Sequence, residues 1–229
     1  MAKVLFTAFT ADIRAKVNGS VFSKNRYGSY IRTKVTPTNP STTAQVNSRN
    51  ILATQSQAWR GLTDAQRTGW INASANFPFT DVFGNIRYLA GNALYVKLNA
   101  NLNYADEAAI ADAPAPVAIE ALDTVTIAAA AGAGTLAVTF APAPVPAGFA
   151  LIIQATPGVS ASINFVKNKF RNVTVVAAAG TSPHATGTAY VAKFGAMTAG
   201  QKIFVRIFLI STDTGQAGIP LQAETIVAA

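Results

Sequence analysis

Polar and apolar residues alternate with a period of two through VNGSVFSKNRYGSYIRTKV (Val17–Val35), which predicts a β-hairpin turning at Asn25-Arg26-Tyr27-Gly28. On the return strand Ile31, Thr33 and Val35 face one way and Tyr30, Arg32 and Lys34 the other, so one face is cationic and carries an aromatic ring. The period then lengthens. Asn39 as N-cap and Pro40 at the first helical position predict a helix from Pro40 to Gly61, with a thin stripe of Ala44, Ile51, Leu52, Gln55, Trp59 and Leu62. Thr63, with Gln66 three residues on, predicts a capping box opening a second helix that runs to Asn76. A third spans Ala90–Leu102, with Leu94, Val96, Leu98 and Leu102 as packing residues. Trp59 and Trp70 fall on successive helices and are assigned to one small structural core.

From about Val125 the pattern changes to short β-branched or aromatic runs between Pro and Gly turns. The runs are Thr135–Phe140, Phe149–Ala155, Phe170–Ala177, Thr188–Phe194, Lys202–Ser211 and Leu221–Val227. Their spacing predicts a β-sandwich of immunoglobulin-like or fibronectin-III-like type. Lys202–Ile210 is apolar on both faces, so it should be a central strand or should touch something beyond its own sandwich. The fold class expected is therefore α+β: an N-terminal hairpin plus short helices, then an all-β immunoglobulin-like sandwich. The expected domains are 1–110, a Pro/Ala-rich linker over 111–122, and 123–229.

Composition narrows the function. Half of the 229 residues are hydrophobic and 12% are charged, a thin charged coat that implies surface covered by neighbours. With no cysteine, disulfides and thiolate metal sites are excluded. The apolar segment Val4–Ala11 is short and followed by Asp12 and Arg14, a poor secretory signal, and no run of apolar residues is long enough to span a bilayer. The expectation is synthesis in the cytoplasm without export, and no membrane association. Residues 1–110 carry twelve Lys and Arg against five acids, whereas residues 111–229 carry six against five. No acid lies between Asp12 and Asp64. That cationic hairpin reads as a contact with a neighbouring subunit, as a solvated face, or as a nucleic-acid backbone contact.

Catalytic constellations are missing from the sequence. His184 stands alone in a loop, so neither a Ser-His-Asp triad nor a zinc cluster can be assembled. Gly132-Ala133-Gly134 lacks the rest of a phosphate loop, and Asp213-Thr214-Gly215 reads as a turn between strands. Asp106, Glu107 and Asp112 read as solvated charges, and Asp64 as a helix N-terminal charge. No catalytic residue, cofactor or metal is expected, and the chain reads as a non-enzyme.

Three separated strings carry a family resemblance. Pro37, Asn39, Pro40, Thr42 and Gln45 follow the hairpin; Trp59, Leu62, Thr63, Gln66, Arg67 and Trp70 come next; Gly91, Leu94, Tyr95 and Asn99 close the series. Over residues 14–103 the chain resembles a group of virion structural proteins of tailed bacteriophages and prophages. The resemblance implies a repeated capsid- or tail-associated subunit, a homo-oligomer that contacts other copies of itself and other virion proteins, located in the virion after synthesis in the host cytoplasm. Under that reading Arg26, Tyr30, Arg32, Lys34 and Arg67 are the expected subunit-interface residues. Two alternatives stay open. One is a nucleic-acid-binding module using the hairpin. The other is a host-surface adhesin using the sandwich, for which aromatics on sandwich loops would be expected, whereas Thr181–Gly187 and Gly215–Gly218 are small and polar.

Overall fold

In the computed structural model, which describes residues 2–3, 12–25, 28–36, 38–80 and 84–229, the alternating N-terminal segment becomes an antiparallel sheet. Its strands are β1 (Ala2–Lys3), β2 (Ala15–Val17), β3 (Ser20–Asn25) and β4 (Gly28–Thr33), in the order β1-β4-β3-β2. The β3–β4 hairpin pairs Asn25 with Gly28 as the alternation requires; its tip, Arg26 and Tyr27, lies outside the described residues. The sheet belongs to one compact unit, residues 1–46, and everything from Asn47 onward forms a second. The compact division thus falls at Val46/Asn47, and residues 111–122, expected as a linker, lie inside the second unit.

Helix α1 (Thr43–Gly61) starts three residues later than the Asn39-Pro40 signal predicts. Ser41 has φ +49°, a left-handed conformation that stops a helix begun at Pro40. Thr42 and Gln45 then cap each other: Thr42 Oγ1 accepts from the Gln45 N–H at 3.4 Å, and Gln45 Oε1 accepts from the Thr42 N–H at 3.2 Å. Helix α2 (Asp64–Ala73) opens on the predicted box, with Thr63 Oγ1 accepting from Gln66 N–H and Gln66 Oε1 from Thr63 N–H. A 3-10 turn (Ser74–Asn76) and a two-residue ladder, β5 (Phe79–Thr80) with β6 (Ile86–Arg87), lead to α3 (Gly91–Tyr104). Gly91 is the close-approach point of α2 and α3, since a Cβ there would meet the backbone N of Ile71 at 2.9 Å.

The C-terminal part is the expected antiparallel sandwich. Strands β7 (Thr124–Ala130) and β8 (Thr135–Ala141) are followed by β9 (Phe149–Ala155) and β10 (Arg171–Val176), then β11 (His184–Ala185). After helix α4 (Gly187–Phe194) come β12 (Lys202–Ser211) and β13 (Leu221–Ile226). One sheet runs β11-β8-β7 and the other β10-β9-β12-β13. In a constant-type immunoglobulin sandwich the fourth strand lies on the first sheet; here it sits beside the third, on the second sheet. Leu136, Val138 and Phe140 meet Leu151, Ile153, Ile203, Val205, Ile207 and Leu209 between the sheets. The other face of β9 and β12 is covered as well. Ala150, Ile152 and Ile210 pack with Ala105 at the end of α3, and Phe204 packs with Val159, Val166 and Phe170 from the loop before β10. The two-faced apolar pattern of Lys202–Ile210 thus has both of its expected causes, a central position and cover from outside the sandwich.

One strand expectation is corrected. Thr188–Phe194 is helix α4, not a strand. Tyr190 and Phe194, one helical turn apart, pack as tilted rings with centroids 5.0 Å apart, and Gly187 sits so close to the Gly134 carbonyl that a Cβ would come within 2.3 Å of it. Strand β7 was not among the predicted runs because its apolar positions end in alanines. The β-branched signal is confined to Thr124–Ile127, and the last three residues are alanines.

Tyr190 is buried and donates to the Thr156 carbonyl at 3.0 Å, and burial pushes its hydroxyl up to about 12. An acid whose folded pKa exceeds its unfolded value, about 10, stabilises the fold through its neutral form. That contribution is intact below about pH 10 and is lost as pH rises toward about 12. Melting temperature should therefore fall across this window. Tyr190→Phe should start about 1 kcal/mol less stable and show a shallower alkaline decline. Parallel declines in the two proteins would assign the effect to other groups.

Candidate functional site

The cross-strand register of the N-terminal sheet decides which residues share a face. Ala15, Phe22 and Ile31 lie opposite one another across β2, β3 and β4, forming an apolar row with Phe22 and Ile31 half-buried. Lys16, Val21 and Arg32 form the next row on the opposite face, with both cations exposed. Two strand spacings, about 10 Å, separate those cations, roughly a Debye length at physiological salt. Tyr30, opposite Ser23, stands on this cationic face and is half-buried. Lys34 lies just beyond β4, exposed, with its N–H donating to the Gly19 carbonyl at 2.8 Å. The structure therefore brings Tyr30 and Arg32 onto one face with Lys16, a residue not singled out from sequence. Arg26 lies outside the described residues.

None of the described residues of this unit is buried. A sheet of three or more strands ordinarily needs one hydrophobic face covered to be stable in water. Strand β2 is moreover a short edge strand with all three residues exposed. Among the described residues, the sheet has the register of a folded element and no buried side chain.

Arg67 is engaged within the chain. Its guanidinium donates to the carbonyls of Trp59 (3.4 Å) and Arg60 (2.7 Å) at the end of α1 and pairs with Asp64 at 3.0 Å. It closes the open carbonyls of α1. Trp70 is fully buried, and Trp59 half-buried, against the Tyr95 ring; the centroids are 5.2 Å and 5.4 Å away. The Trp70 indole N–H donates to the Ala111 carbonyl at 2.8 Å. Asn99, also fully buried, clamps the following segment: its Oδ1 accepts from the Ile110 N–H at 2.7 Å and its amide donates to the Tyr95 and Ile110 carbonyls.

The chain matches no protein-family model, and no curated protein matches it significantly.

The motif residues between Trp59 and Asn99 therefore have to be explained from this structure. Trp59, Leu62, Trp70, Leu94 and Tyr95 build one apolar cluster; Thr63 and Gln66 cap α2; Gly91 permits the helix crossing. These residues build and cap a helical scaffold. Two clefts lie nearby. One of about 580 Å³ beside α2 carries a single carboxylate, Asp112, which accepts from Gln66. Another of about 340 Å³ beside α3 carries Arg171 and no carboxylate. Among the described residues no three His, Cys, Asp or Glu side chains converge as a metal site, and His184 sits half-exposed on β11 opposite Val138. No helix among the described residues is long and apolar enough to cross a membrane.

One aromatic escaped the sequence reading. Phe165, in the loop between β9 and β10, is 78% exposed and is followed by Lys167, Lys169 and Arg171. Its apolar run was hidden because the residues around it, Val166 and Phe170, are core.

Proposed function

We propose that this chain is a structural, non-catalytic subunit of a tailed-phage or prophage-like particle, repeated in the capsid or tail and assembled through its N-terminal unit. The observation that carries this reading is the four-stranded sheet with no buried residue among those described. Such a sheet gains its missing burial when a neighbouring subunit covers a face or extends an edge by strand addition. The resemblance over residues 14–103 points the same way, as does the low charge content.

A second reading rests on the row Lys16-Val21-Arg32 with Tyr30, a cation–aromatic face suited to a nucleic-acid backbone. One experiment separates the two. Light scattering and negative-stain microscopy of the full chain at low and high salt are expected to show defined oligomers that persist at high salt. The double variant Tyr30→Ser/Arg32→Glu should weaken that association about tenfold or more. A monomer at every salt concentration overturns the assembly reading. Duplex DNA binding that falls steeply with salt and is lost in the same variant would replace it with the second.

A further inference from the structure

The strand register of the sandwich sorts its charges by end. At one end Ala155 lies opposite both Val205 and Arg171, and Lys202 opposite Ile226, so the loop 156–170 belongs to this end. At the other, Phe149 lies opposite Ser211 and Thr124 opposite Ala141. The bridge between Ala130 and Ala228 keeps the two sheets aligned end to end.

The cations of residues 111–229 gather at the first end. Lys167 and Lys169 are on the loop and Arg171 opens β10. Lys202 reaches the loop through Asn164 Oδ1 at 3.0 Å, and Arg206 lies 4.5 Å over the Phe170 ring. Lys193 donates to the carbonyl of Asn172. The acid that answers them is Glu224, 3.1 Å from Lys202. Lys167 and Arg171 are exposed and without an ion-pair partner among the described residues, beside the exposed ring of Phe165.

The second end has the opposite sign. Asp123, whose N–H donates to the Ala141 carbonyl, and Asp213, just past Ser211, are both exposed. Glu120 is exposed next to Ile119, which touches Gly218 of the same end. The cation bordering this end is Lys97 of α3, which shares a cleft with Gln216 and Ala217, and the three acids outnumber it. An exposed apolar residue is present here too: Ile219 is 86% exposed. The sandwich is therefore an electrical dipole with an apolar projection at each pole.

We propose that the cationic, Phe165-tipped end of one sandwich docks on the acidic, Ile219-bearing end of a second copy of this chain. The contact is heterologous, the kind that builds rings or filaments from identical subunits. Complementary charge sets register and encounter rate, and the two exposed apolar residues lose water on docking. A small contact of this kind is weak alone and gains from repetition in an array. The surfaces are distinct from the N-terminal unit, so the inference goes beyond the function proposed above and shares with it only the premise that copies meet.

The test is a charge swap in the full chain. Lys167→Glu/Lys169→Glu turns the Phe165-bearing loop acidic, the sign of the second end, and Asp123→Lys/Asp213→Lys turns the second end basic, the sign of the first. Sedimentation velocity at low salt is expected to show about tenfold weaker self-association for each variant alone. An equimolar mixture should recover alternating assemblies of the two. Unchanged melting temperatures establish that the substitutions, three at exposed positions and one at half-buried Lys169, leave the fold intact. Association as strong as wild type in either variant alone, or no recovery on mixing, overturns the proposal. So does a Lys167→Glu/Lys169→Glu protein that self-associates normally but loses binding to phosphatidylglycerol vesicles or duplex DNA, which would assign the pole to a polyanion. Recovery on mixing that survives Tyr30→Ser/Arg32→Glu supports the poles even where the N-terminal contact fails. A wild-type chain that never associates overturns both readings.

Discussion

Trp70→Ala is expected to cost about 3–5 kcal/mol, the range for removing a large buried aromatic side chain. The indole is fully buried, stands edge-on to Tyr95 at 5.2 Å, and is the donor that ties α2 to Ala111. Its loss leaves a cavity among Leu94, Tyr95 and Leu98 and frees the segment after α3. Because whole domains are stable by only about 5–15 kcal/mol, a deficit of this size is enough to open the helical scaffold on its own. Hydrogen exchange should show amides of α2 and α3 losing protection first, while those of β9 and β12 keep theirs. Trp70→Phe keeps a ring in place and loses the hydrogen bond, and should cost clearly less. A deficit under about 1 kcal/mol for the alanine variant would remove Trp70 from the core of this scaffold.

Features with a local cause were legible in the sequence. The Thr63–Gln66 capping box involves four residues and one helix start, and it forms as written. Lys202–Ser211 is ten residues of two-faced apolar alternation, and no shorter-range preference competes with it. The tryptophans, one helix apart, converge on one ring because both helices present them to α3. The misread elements are short segments in which two local signals disagree. Thr188–Phe194 has strand-forming residues, but Tyr190 and Phe194 fall one helical turn apart and the neighbouring Gly187 admits a close backbone approach. At Pro40 a preset φ favours helix, yet Ser41 turns left-handed and the Thr42–Gln45 cap takes over.

Residues 111–122 have the composition of a free connection, and composition does not record tertiary clamps. Asn99 holds Ile110, Trp70 holds Ala111, and Gln216 Oε1 accepts from the Val117 N–H at 2.6 Å. The charge pattern escaped for a related reason. Six cations against five acids over residues 111–229 looks neutral when summed along the chain. Only the register of β9, β10 and β12 places the cations at one end of the sandwich. The N-terminal site lies between these cases. Alternation put Tyr30 and Arg32 on one face, while Lys16 joins them through a strand pairing that the hairpin alone does not specify.

Gly215→Ala is the second large effect, and it reports on whether the helical scaffold and the sandwich act as one body within residues 47–229. Gly215 has φ +72°, and a Cβ there would meet Leu98 O at 2.2 Å and Leu98 C at 2.8 Å. Backbone cannot rotate away as a side-chain tip can, so α3 or the β12–β13 loop has to move. Moving it disturbs the Asn101 amide, which donates to the Gly215 carbonyl at 2.8 Å, and the Val117–Gln216 bond beside it. Left-handed strain alone costs about 1–2 kcal/mol, and the clash with lost hydrogen bonds adds to it, for about 3 kcal/mol or more in total. Gly148→Ala is the matched control. Its φ of +78° carries the same strain, but nothing lies within 4 Å of the added Cβ. Chemical denaturation of the pair isolates the contact. A deficit for Gly215→Ala well beyond that of Gly148→Ala means that α3 rests on the loop in solution. The proposed head-to-tail contact would then bear on the helical scaffold as well as on the sheets. Equal deficits would mean that the acidic end stands free of the helices, and that any assembly through it is carried by the sandwich alone.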